Sequence, residues 1–152
     1  MIIRPAAHGD LDSLVELGAV MHAEGAYAHL PYDPASVRKR VTAFIESFPR
    51  DRCFFVAEHR GAIFGFLAGV VEPYFFCEER VAYDILFFVH PQRRLGPGAF
   101  RLVQVFRAWA AGQSVREICL GISSGVATER VERFHEKLGM KKVGSIFKER
   151  LG

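Results

Sequence analysis

Hydrophobic and polar positions along the chain switch repeatedly between the period of a helix and that of a strand. In four segments the apolar residues recur at the i, i+3, i+4, i+7 spacing of an amphipathic helix. Asp10 and the pair Asp33-Pro34 are typical residues for a helix start. Helices are therefore predicted from Asp10 to before Gly25, from Asp33 to Phe48, from about Pro97 to Ala111, and from Thr128 to Leu138.

The remaining apolar runs are short and rich in β-branched and aromatic residues, which is typical of strands. Arg60-Gly61 separates two of these runs and predicts an antiparallel hairpin. Gly65 and Gly69 in the second run indicate a bulge or close backbone packing. The predicted strands are Met1–Arg4, Cys53–His59, Ala62–Val71, Val81–Val89 and Arg116–Ile122, with room for one or two more in Met140–Leu151.

The order of these elements is β-α-α-β-β-β-α-β-α-β. It predicts an α/β (α+β) fold in which four helices flank a mixed, mostly antiparallel central sheet of about six or seven strands. Strands joined through a helix are expected to be parallel. The length of 152 residues predicts a single domain over residues 1–152.

Composition narrows the class of protein. Half of the residues are apolar and 24% are charged, which argues against a disordered chain or a repetitive scaffold. No apolar run approaches the roughly 20 residues that span a bilayer, and the N-terminus lacks the layout of a signal peptide. The three cysteines are far apart in the chain, so neither a metal site nor a disulfide framework is expected. This pattern fits a reducing, cytoplasmic location.

The charge is unevenly distributed, although the formal net charge is only +3. No acidic residue lies between Asp84 and Glu117, and the cationic residues of that stretch are Arg93, Arg94, Arg101, Arg107 and Arg116. Both a solvated helix face and an anion-binding site fit such a stretch. Lysine and arginine cluster little elsewhere, so a nucleic-acid partner is not expected.

A glycine-containing loop connects the predicted strand Val81–Val89 to the helix that follows. It reads His90-Pro91-Gln92-Arg93-Arg94-Leu95-Gly96-Pro97-Gly98-Ala99. The first turn of a helix has free amide hydrogens and a partial positive charge, and small residues let a ligand approach the backbone. The loop is therefore a candidate cradle for a pyrophosphate, although a plain strand-to-helix turn needs glycine as well.

The last predicted helix contains a second candidate segment, Phe134-His135-Glu136-Lys137-Leu138-Gly139-Met140. The inward stripe of this helix includes His135, which therefore lies on an apolar face. A lone histidine at such a position is either a hydrogen-bonded core residue or a catalytic group. Gly139 follows the helix at the usual C-cap position.

These two segments, about 40 residues apart with a strand between them, resemble motifs of the GNAT superfamily of acyl-CoA-dependent N-acetyltransferases. Arg93-Arg94-Leu95-Gly96-Pro97-Gly98 is similar to the Gln/Arg-x-x-Gly-x-Gly/Ala loop of that family. The segment from His135 to Met140 is similar to its Tyr-Glu-Lys-Leu-Gly-Phe-like stretch, and Val89-His90-Pro91 resembles its exit from the fourth strand. The predicted order of elements also resembles a GNAT-like sheet along essentially the whole chain.

The resemblance implies an enzyme that moves an acetyl group from acetyl-CoA directly to an amine, either of a small molecule or of a peptide or protein. Acetyl-CoA would lie in a V between the strand that ends at Val89 and the strand Arg116–Ile122. A backbone amide there would polarise the thioester carbonyl. The implied coenzyme contacts are Phe87, Phe88, Val89, Arg93, Arg94, Leu95, Gly96, Pro97, Gly98, Ala99 and Thr128. No metal is implied.

The resemblance also implies catalytic roles. His135 occupies the position of a tyrosine that often protonates the leaving thiolate in the family. Asp84 lies on the strand where some members have a carboxylate base. The alternative is that Asp84 lies at the start of its strand, exposed or hydrogen-bonded, because burying a charge is costly. Other candidate bases are His22, Glu24 and Glu79.

Three residues depart from the family pattern. His135 replaces the tyrosine, Thr128 replaces an asparagine often found seven residues earlier, and Pro97 has no amide hydrogen to offer a phosphate. The register of the loop is also open, since Arg94 can take the place of the family arginine. A second hypothesis is therefore a catalytically weak or inactive acyl-CoA-binding module with the same fold.

The region that shapes the acceptor site is expected to be apolar. It would comprise the Met21–Asp33 loop, the Glu72–Arg80 loop and the C-terminal tail. Its aromatic residues are Tyr27, Tyr32, Tyr74, Phe75 and Phe76. These side chains would line an acceptor cleft, cap the core, or form the surface of a homodimer.

Overall fold

The computed structural model describes residues 1–152, which form one five-stranded sheet with helices on both faces. The strands are β1 (Ile2–Pro5), β2 (Arg52–His59), β3 (Ala62–Pro73), β4 (Arg80–Val89) and β5 (Glu117–Cys119). The helices are α1 (Leu11–Glu24), α2 (Pro34–Ser47), α3 (Gly98–Gly112) and α4 (Thr128–Lys137), with short 3-10 turns at His8–Asp10 and Pro91–Arg93. None of these helices has the length and apolar character needed to cross a membrane.

The strands lie side by side in the order of the sequence, β1-β2-β3-β4-β5. The first three pairings are antiparallel, whereas β4 and β5 are parallel, because α3 carries the chain back between them. The β2–β3 hairpin turns at Arg60-Gly61, where both residues have positive φ angles of 50° and 80°. The prediction of a mixed, mostly antiparallel sheet with four helices is confirmed.

The prediction of six or seven strands is wrong. The tail after α4 forms no strand, and residues 141–152 are exposed. β5 also covers only three residues of the predicted strand Arg116–Ile122. Pairing stops there because the amide of Gly121 donates to the carboxyl of Asp84 (2.8 Å) instead of to a backbone carbonyl of β4.

Each face of the sheet buries its own apolar cluster. One cluster lies under α1 and α2 and includes Leu14, Val41, Phe54, Phe66 and Phe88. The other lies under α3, whose predicted inner stripe is confirmed because Leu102, Val103, Phe106 and Ala110 are buried and Ala99 packs against them. Since side chains alternate along a strand, β4 contributes Phe88 to the first cluster and Phe87 and Val89 to the second.

Two of the three predicted helix ends carry the expected cap. The Asp33 carboxylate accepts hydrogen bonds from the amides of Ala35 (3.0 Å) and Ser36 (3.4 Å) at the start of α2. Gly139 follows α4 with a φ of 83°, a conformation that glycine adopts without strain. Asp10 precedes α1 but does not cap its amides, because its carboxylate instead accepts two hydrogen bonds from Arg4 of β1 (2.7 and 2.9 Å).

A β-bulge interrupts β4 in its middle. Asp84 pairs with Gly69, and the next residue of β3 towards the hairpin, Ala68, pairs with Leu86. Ile85 is therefore an extra residue without a partner in the ladder, and its side chain is 49% exposed. The bulge lies where β4 parts from β5, and it changes the direction of the strand at the site described below.

We expect Gly69→Ala to destabilise the fold, because the glycine leaves room for a core side chain. A Cβ at this position would lie 2.4 Å from Cε2 of Phe106, which is fully buried under α3. Overpacking of this kind costs about 1–3 kcal/mol, which urea unfolding would measure. Gly9→Ala is the matched control, since its Cβ would meet nothing within 4 Å. Equal stability of the two variants would contradict the prediction.

Candidate active site

β4 and β5 separate shortly after they meet. Their backbone pairing is confined to three residue pairs, from Val81 and Glu117 to Tyr83 and Cys119. Beyond this point, Ile85 has no partner in the ladder, and from Leu86 to Val89 β4 pairs only with β3. The other edge of this half of β4 therefore offers unpaired N–H and C=O groups to an extended ligand. We call this stretch the open edge of β4.

Free amides lie at one end of the open edge, where the chain enters α3. The Arg101 amide is the first of this helix to reach a backbone carbonyl, that of Pro97 (3.0 Å). The amides of Gly98, Ala99 and Phe100 precede it and have no intrahelical acceptor. Pro97 lies at the N-cap, before these three residues. Its missing amide hydrogen therefore removes none of the donors at the start of α3.

Phe64 of β3 forms the floor beneath this loop. A Cβ on Gly98 would lie 2.7 Å from Phe64 Cε2, so the glycine is needed for packing at the start of the helix. The Arg93 guanidinium lies 5.6 Å from the centroid of the same ring. Leu95 and Gly96 form an exposed turn above it. The loop is thus anchored at both ends, and its middle faces solvent.

Arg94 is held against the end of β4. Its Nε donates to the carbonyl of Val89 (2.9 Å), and its guanidinium lies 5.4 Å from the centroid of the Phe88 ring. The other end of the guanidinium forms an ion pair with Glu24 in the last turn of α1. Arg94 therefore connects the open edge, the loop and α1.

Asp84 lies at the other end of the open edge, roughly 14 Å from Val89, since the ladder between them has four steps and Ile85 is an extra residue. It is partly buried, and its Oδ1 accepts the Gly121 amide hydrogen bond. Burial raises the pKa of this carboxyl to about 6, because the backbone amides of Gly121 and of Asp84 itself only partly offset the loss of hydration. The alternative places Asp84 at the start of its strand, exposed or hydrogen-bonded. The carboxyl is hydrogen-bonded, but the residue lies inside β4, which begins at Arg80.

His135 is buried on the inner side of α4, with 9% of its surface exposed. The adjacent Phe134 packs on Phe87 of β4, with ring centroids 6.3 Å apart. This confirms the predicted inward stripe. Nε2 of His135 is out of reach of solvent and has no hydrogen-bond partner in the protein, unlike the usual buried polar group. Burial lowers the pKa of the imidazole, so the ring is neutral at pH 7.

A cleft of about 1190 Å³ lies beside His135. Its walls are the end of α3, β5 with the residues on either side of it, α4, the C-terminal tail and Ala26 of the α1–α2 loop. Of the predicted site residues it contains His135 and Thr128, and it also contains Gly121, the hydrogen-bond partner of Asp84. The loop from Arg93 to Ala99 does not line this cleft, because it lies at the far end of the open edge.

Comparison with known proteins decides the family. The sequence profile of the acetyltransferase (GNAT) family matches residues 19–140, which is most of the chain. The chain belongs to the GNAT family. Its members are acyltransferases that use acetyl-CoA, which agrees with the expected class of enzyme and co-substrate. No protein of curated function matches the chain in sequence.

Solved structures show the GNAT fold along almost the whole chain. AAC(6')-Iy, in complex with the bisubstrate analogue CoA-S-monomethyl-acetylneamine, has a TM-score of 0.78 and 16% identity, over 98% of this chain and 96% of that one. The ribosomal-protein-alanine N-acetyltransferase of Brucella melitensis biovar Abortus 2308 has a TM-score of 0.70 and 18% identity, over 99% of this chain and 100% of that one. A transcriptional regulator from Bacillus halodurans C-125 has a TM-score of 0.80 and 22% identity, over 99% of both chains.

The aromatic residues expected around the acceptor do not line the cleft of this GNAT protein. Tyr32 caps the core, since its hydroxyl donates to the carbonyl of Val15 (2.5 Å) and its ring lies 5.3 Å from that of His22. Phe75 and Phe76 protrude from the β3–β4 loop, 96% and 90% exposed. The cleft walls instead carry charged residues of α3, β5, α4 and the tail, which are Arg107, Arg116, Glu117, Glu132, Glu136, Lys141, Lys142 and Lys148.

Two features of the site escape sequence analysis. The bulge at Ile85 has one indirect signal, Gly69 in the partner strand, and that signal does not say which strand holds the extra residue. The ion pair of Glu24 and Arg94 joins residues 70 positions apart, and no local pattern points to it. Both features depend on how β4 meets elements that are distant in sequence.

Proposed function

We propose that this GNAT protein is an N-acetyltransferase that moves the acetyl group of acetyl-CoA directly to an amine in a ternary complex. The observation that carries the proposal is the open edge of β4. This edge runs from the free amides at the start of α3 to the Asp84 carboxyl, and the unpartnered His135 imidazole lies on α4, whose Phe134 packs on Phe87 of the same edge. An anionic ligand with a long, thin arm and a reactive far end is complementary to that arrangement.

Acetyl-CoA would bind with its pyrophosphate on the amides of Gly98, Ala99 and Phe100. These amides carry the positive end of the α3 dipole, which favours a phosphate. The pantetheine arm would pair with the backbone of Phe87, Phe88 and Val89. Farther along the same edge, a β4 amide would donate to the thioester oxygen and stabilise the negative charge that forms there.

Asp84 is the proposed general base and His135 the proposed donor to the sulfur. The amine nitrogen bonds to the thioester carbon as the carbon–sulfur bond breaks. The amine proton passes to the Asp84 carboxylate directly or through water, which suits a carboxyl whose pKa is about 6. The neutral His135 ring donates a hydrogen bond to the departing sulfur, and Thr128 contributes to the same end of the coenzyme site.

Two of the three cysteines, Cys53 and Cys119, support direct transfer rather than a covalent acyl-enzyme. A cysteine nucleophile acts as a thiolate, and activation requires a lowered pKa. Cys53 is fully buried under α3, and burial raises its pKa to about 12. Burial and the nearby Glu117 and Asp84 also raise the pKa of Cys119. Neither thiol is activated for attack on a thioester.

We expect acetyl-CoA to raise the melting temperature of the purified protein. A ligand at 100 times its Kd adds about 2.7 kcal/mol of stability, which corresponds to several degrees for a protein of this size. A thermal-shift measurement with CoA and ATP as control ligands would show it. The shift with acetyl-CoA should exceed the shift with ATP, because ATP has no arm for the open edge. The absence of any shift at millimolar acetyl-CoA would contradict the proposed coenzyme site.

Turnover needs a second assay, in which release of the CoA thiol is followed with a panel of small amines and peptide amines. Thiol release that depends on the amine supports catalysis and identifies the class of acceptor. Tight acetyl-CoA binding without thiol release from any amine would instead support a binding module that has lost activity.

A further inference from the structure

The Arg94 side chain belongs to the proposed coenzyme loop, yet all its contacts are made with β4 and α1. It donates to the Val89 carbonyl, lies over the Phe88 ring and forms the ion pair with Glu24. Only 29% of the Arg94 side chain and 28% of the Glu24 side chain are exposed. Water and salt therefore screen this pair less than an ion pair on the open surface.

Glu24 places a negative charge beside a loop that is proposed to receive a pyrophosphate. As long as the pair is intact, the carboxylate neutralises Arg94, and Arg93 is the remaining cation of the loop. A pyrophosphate at the start of α3 would attract the Arg94 guanidinium, which binds phosphate in the same two-pronged manner as carboxylate. The same phosphate charge would repel Glu24.

We infer that Glu24 and the coenzyme pyrophosphate compete for Arg94, so that coenzyme binding breaks the ion pair. This inference rests on the proposed function. It makes Glu24 a positioning residue, which acts on the coenzyme through Arg94 and weakens binding of the free coenzyme. The ion pair holds the loop before the coenzyme arrives, and the phosphates replace the carboxylate afterwards.

The same exchange connects the coenzyme loop to the cleft. Glu24 is the last residue of α1, and the α1–α2 loop follows directly. In that loop, Ala26 lines the cleft, and its amide donates to the carbonyl of Ser124 (2.6 Å). Release of Glu24 by the coenzyme therefore removes one of the contacts that hold the end of α1 next to a wall of the cleft.

The test is acetyl-CoA affinity, measured by calorimetric titration of the full chain as wild type and as Glu24→Gln. Removing the carboxylate is expected to tighten acetyl-CoA binding about three- to tenfold at low salt, and less at high salt. Asp12→Asn is the matched control. It removes a carboxylate from the same helix, but the Asp12–Arg38 pair lies on the open surface, with the Asp12 side chain 86% exposed. Its acetyl-CoA affinity should equal that of the wild type.

Two further variants test the route through Arg94. Glu24→Ala should tighten binding as Glu24→Gln does, because neither side chain carries a charge. In an Arg94→Gln background the same change at Glu24 should change acetyl-CoA affinity less, since the guanidinium for which Glu24 and the pyrophosphate compete is absent. Because this pair is more shielded than one on the open surface, thermal unfolding of each variant would verify that it folds.

The outcomes separate this inference from the function on which it rests. If the wild type does not bind acetyl-CoA, the proposed function is wrong. If the wild type binds it and both Glu24 variants bind it equally or more weakly, Glu24 anchors the loop and competition is excluded. A gain of the same size in Asp12→Asn would reveal a general effect of net charge and would also overturn the inference.

Discussion

Asp84→Asn is expected to lower turnover and, at neutral pH, to stabilise the fold. An amide cannot take the proton of the amine, and loss of a general base typically costs about 10²–10⁴-fold in rate. The same change removes a partly buried negative charge, while the asparagine oxygen can still accept the Gly121 hydrogen bond. Opposite effects on activity and stability are typical of an active site in which strain or a buried charge is needed for the reaction and destabilises the fold.

The dependence of stability on pH follows from the direction of the pKa shift. The pKa of Asp84 is raised from 3.8 to about 6 in the folded protein, so the folded state binds this proton more tightly than the unfolded state. The stabilising contribution of the protonated carboxyl is complete below about pH 4 and is lost as the pH rises through about 6. At pH 8 the loss amounts to about 3 kcal/mol.

Urea unfolding of wild type and Asp84→Asn between pH 4.5 and 8 measures this pH dependence of the free energy of unfolding directly. The wild type should lose stability across the range relative to the variant, and the variant should be the more stable protein at pH 8. Wild-type kcat/KM should rise with pH through about 6 as the base loses its proton. Asp51→Asn is the control, because the Asp51 side chain is 73% exposed. A variant with normal turnover and lower stability at pH 8 would contradict both roles.

The parts of the fold that sequence predicts correctly are those determined within a few residues. The Asp33 cap, the Arg60-Gly61 turn and the inner stripe of α3 each depend on neighbours along the chain. The length of β5, and whether the C-terminal tail forms a strand, depend instead on partners that are distant in sequence. Val143 and Phe147 give the tail an apolar, strand-like pattern, yet both are more than 90% exposed. An apolar pattern alone does not supply a neighbouring strand.

The residues of the candidate site likewise fall into those that local sequence predicts and those whose properties depend on distant contacts. The proposed coenzyme loop and His135 lie in short motifs, so residue types and spacing point to them, and the family resemblance connects the two. Asp84 stands in an apolar run that says nothing about whether its carboxyl is buried. Burial of the carboxyl depends on elements that are distant in sequence, and the Gly121 amide that partly offsets the effect of burial is 37 residues away. Its raised pKa is therefore visible only in three dimensions.

His135→Phe is expected to lower kcat by about 10²-fold or more while the Kd for acetyl-CoA changes little. The imidazole is proposed to donate to the sulfur only as the carbon–sulfur bond breaks, so its loss affects the transition state rather than the bound coenzyme. Phenylalanine fills a similar volume and removes a buried nitrogen that has no partner. Such an atom costs about 1–3 kcal/mol, so the variant should be at least as stable as the wild type.

Two comparisons distinguish this role from simple packing. His135→Tyr restores a donor of the type that the family often has at this position, so it should recover turnover that phenylalanine does not. His8→Phe, at a histidine whose side chain is 61% exposed, should change neither kcat nor stability. Because burial keeps His135 neutral at pH 7, the rise of the rate through about pH 6 should persist in His135→Phe, since Asp84 causes it. Unchanged turnover in His135→Phe would show that His135 is a core residue and that solvent, rather than the imidazole, donates to the departing sulfur.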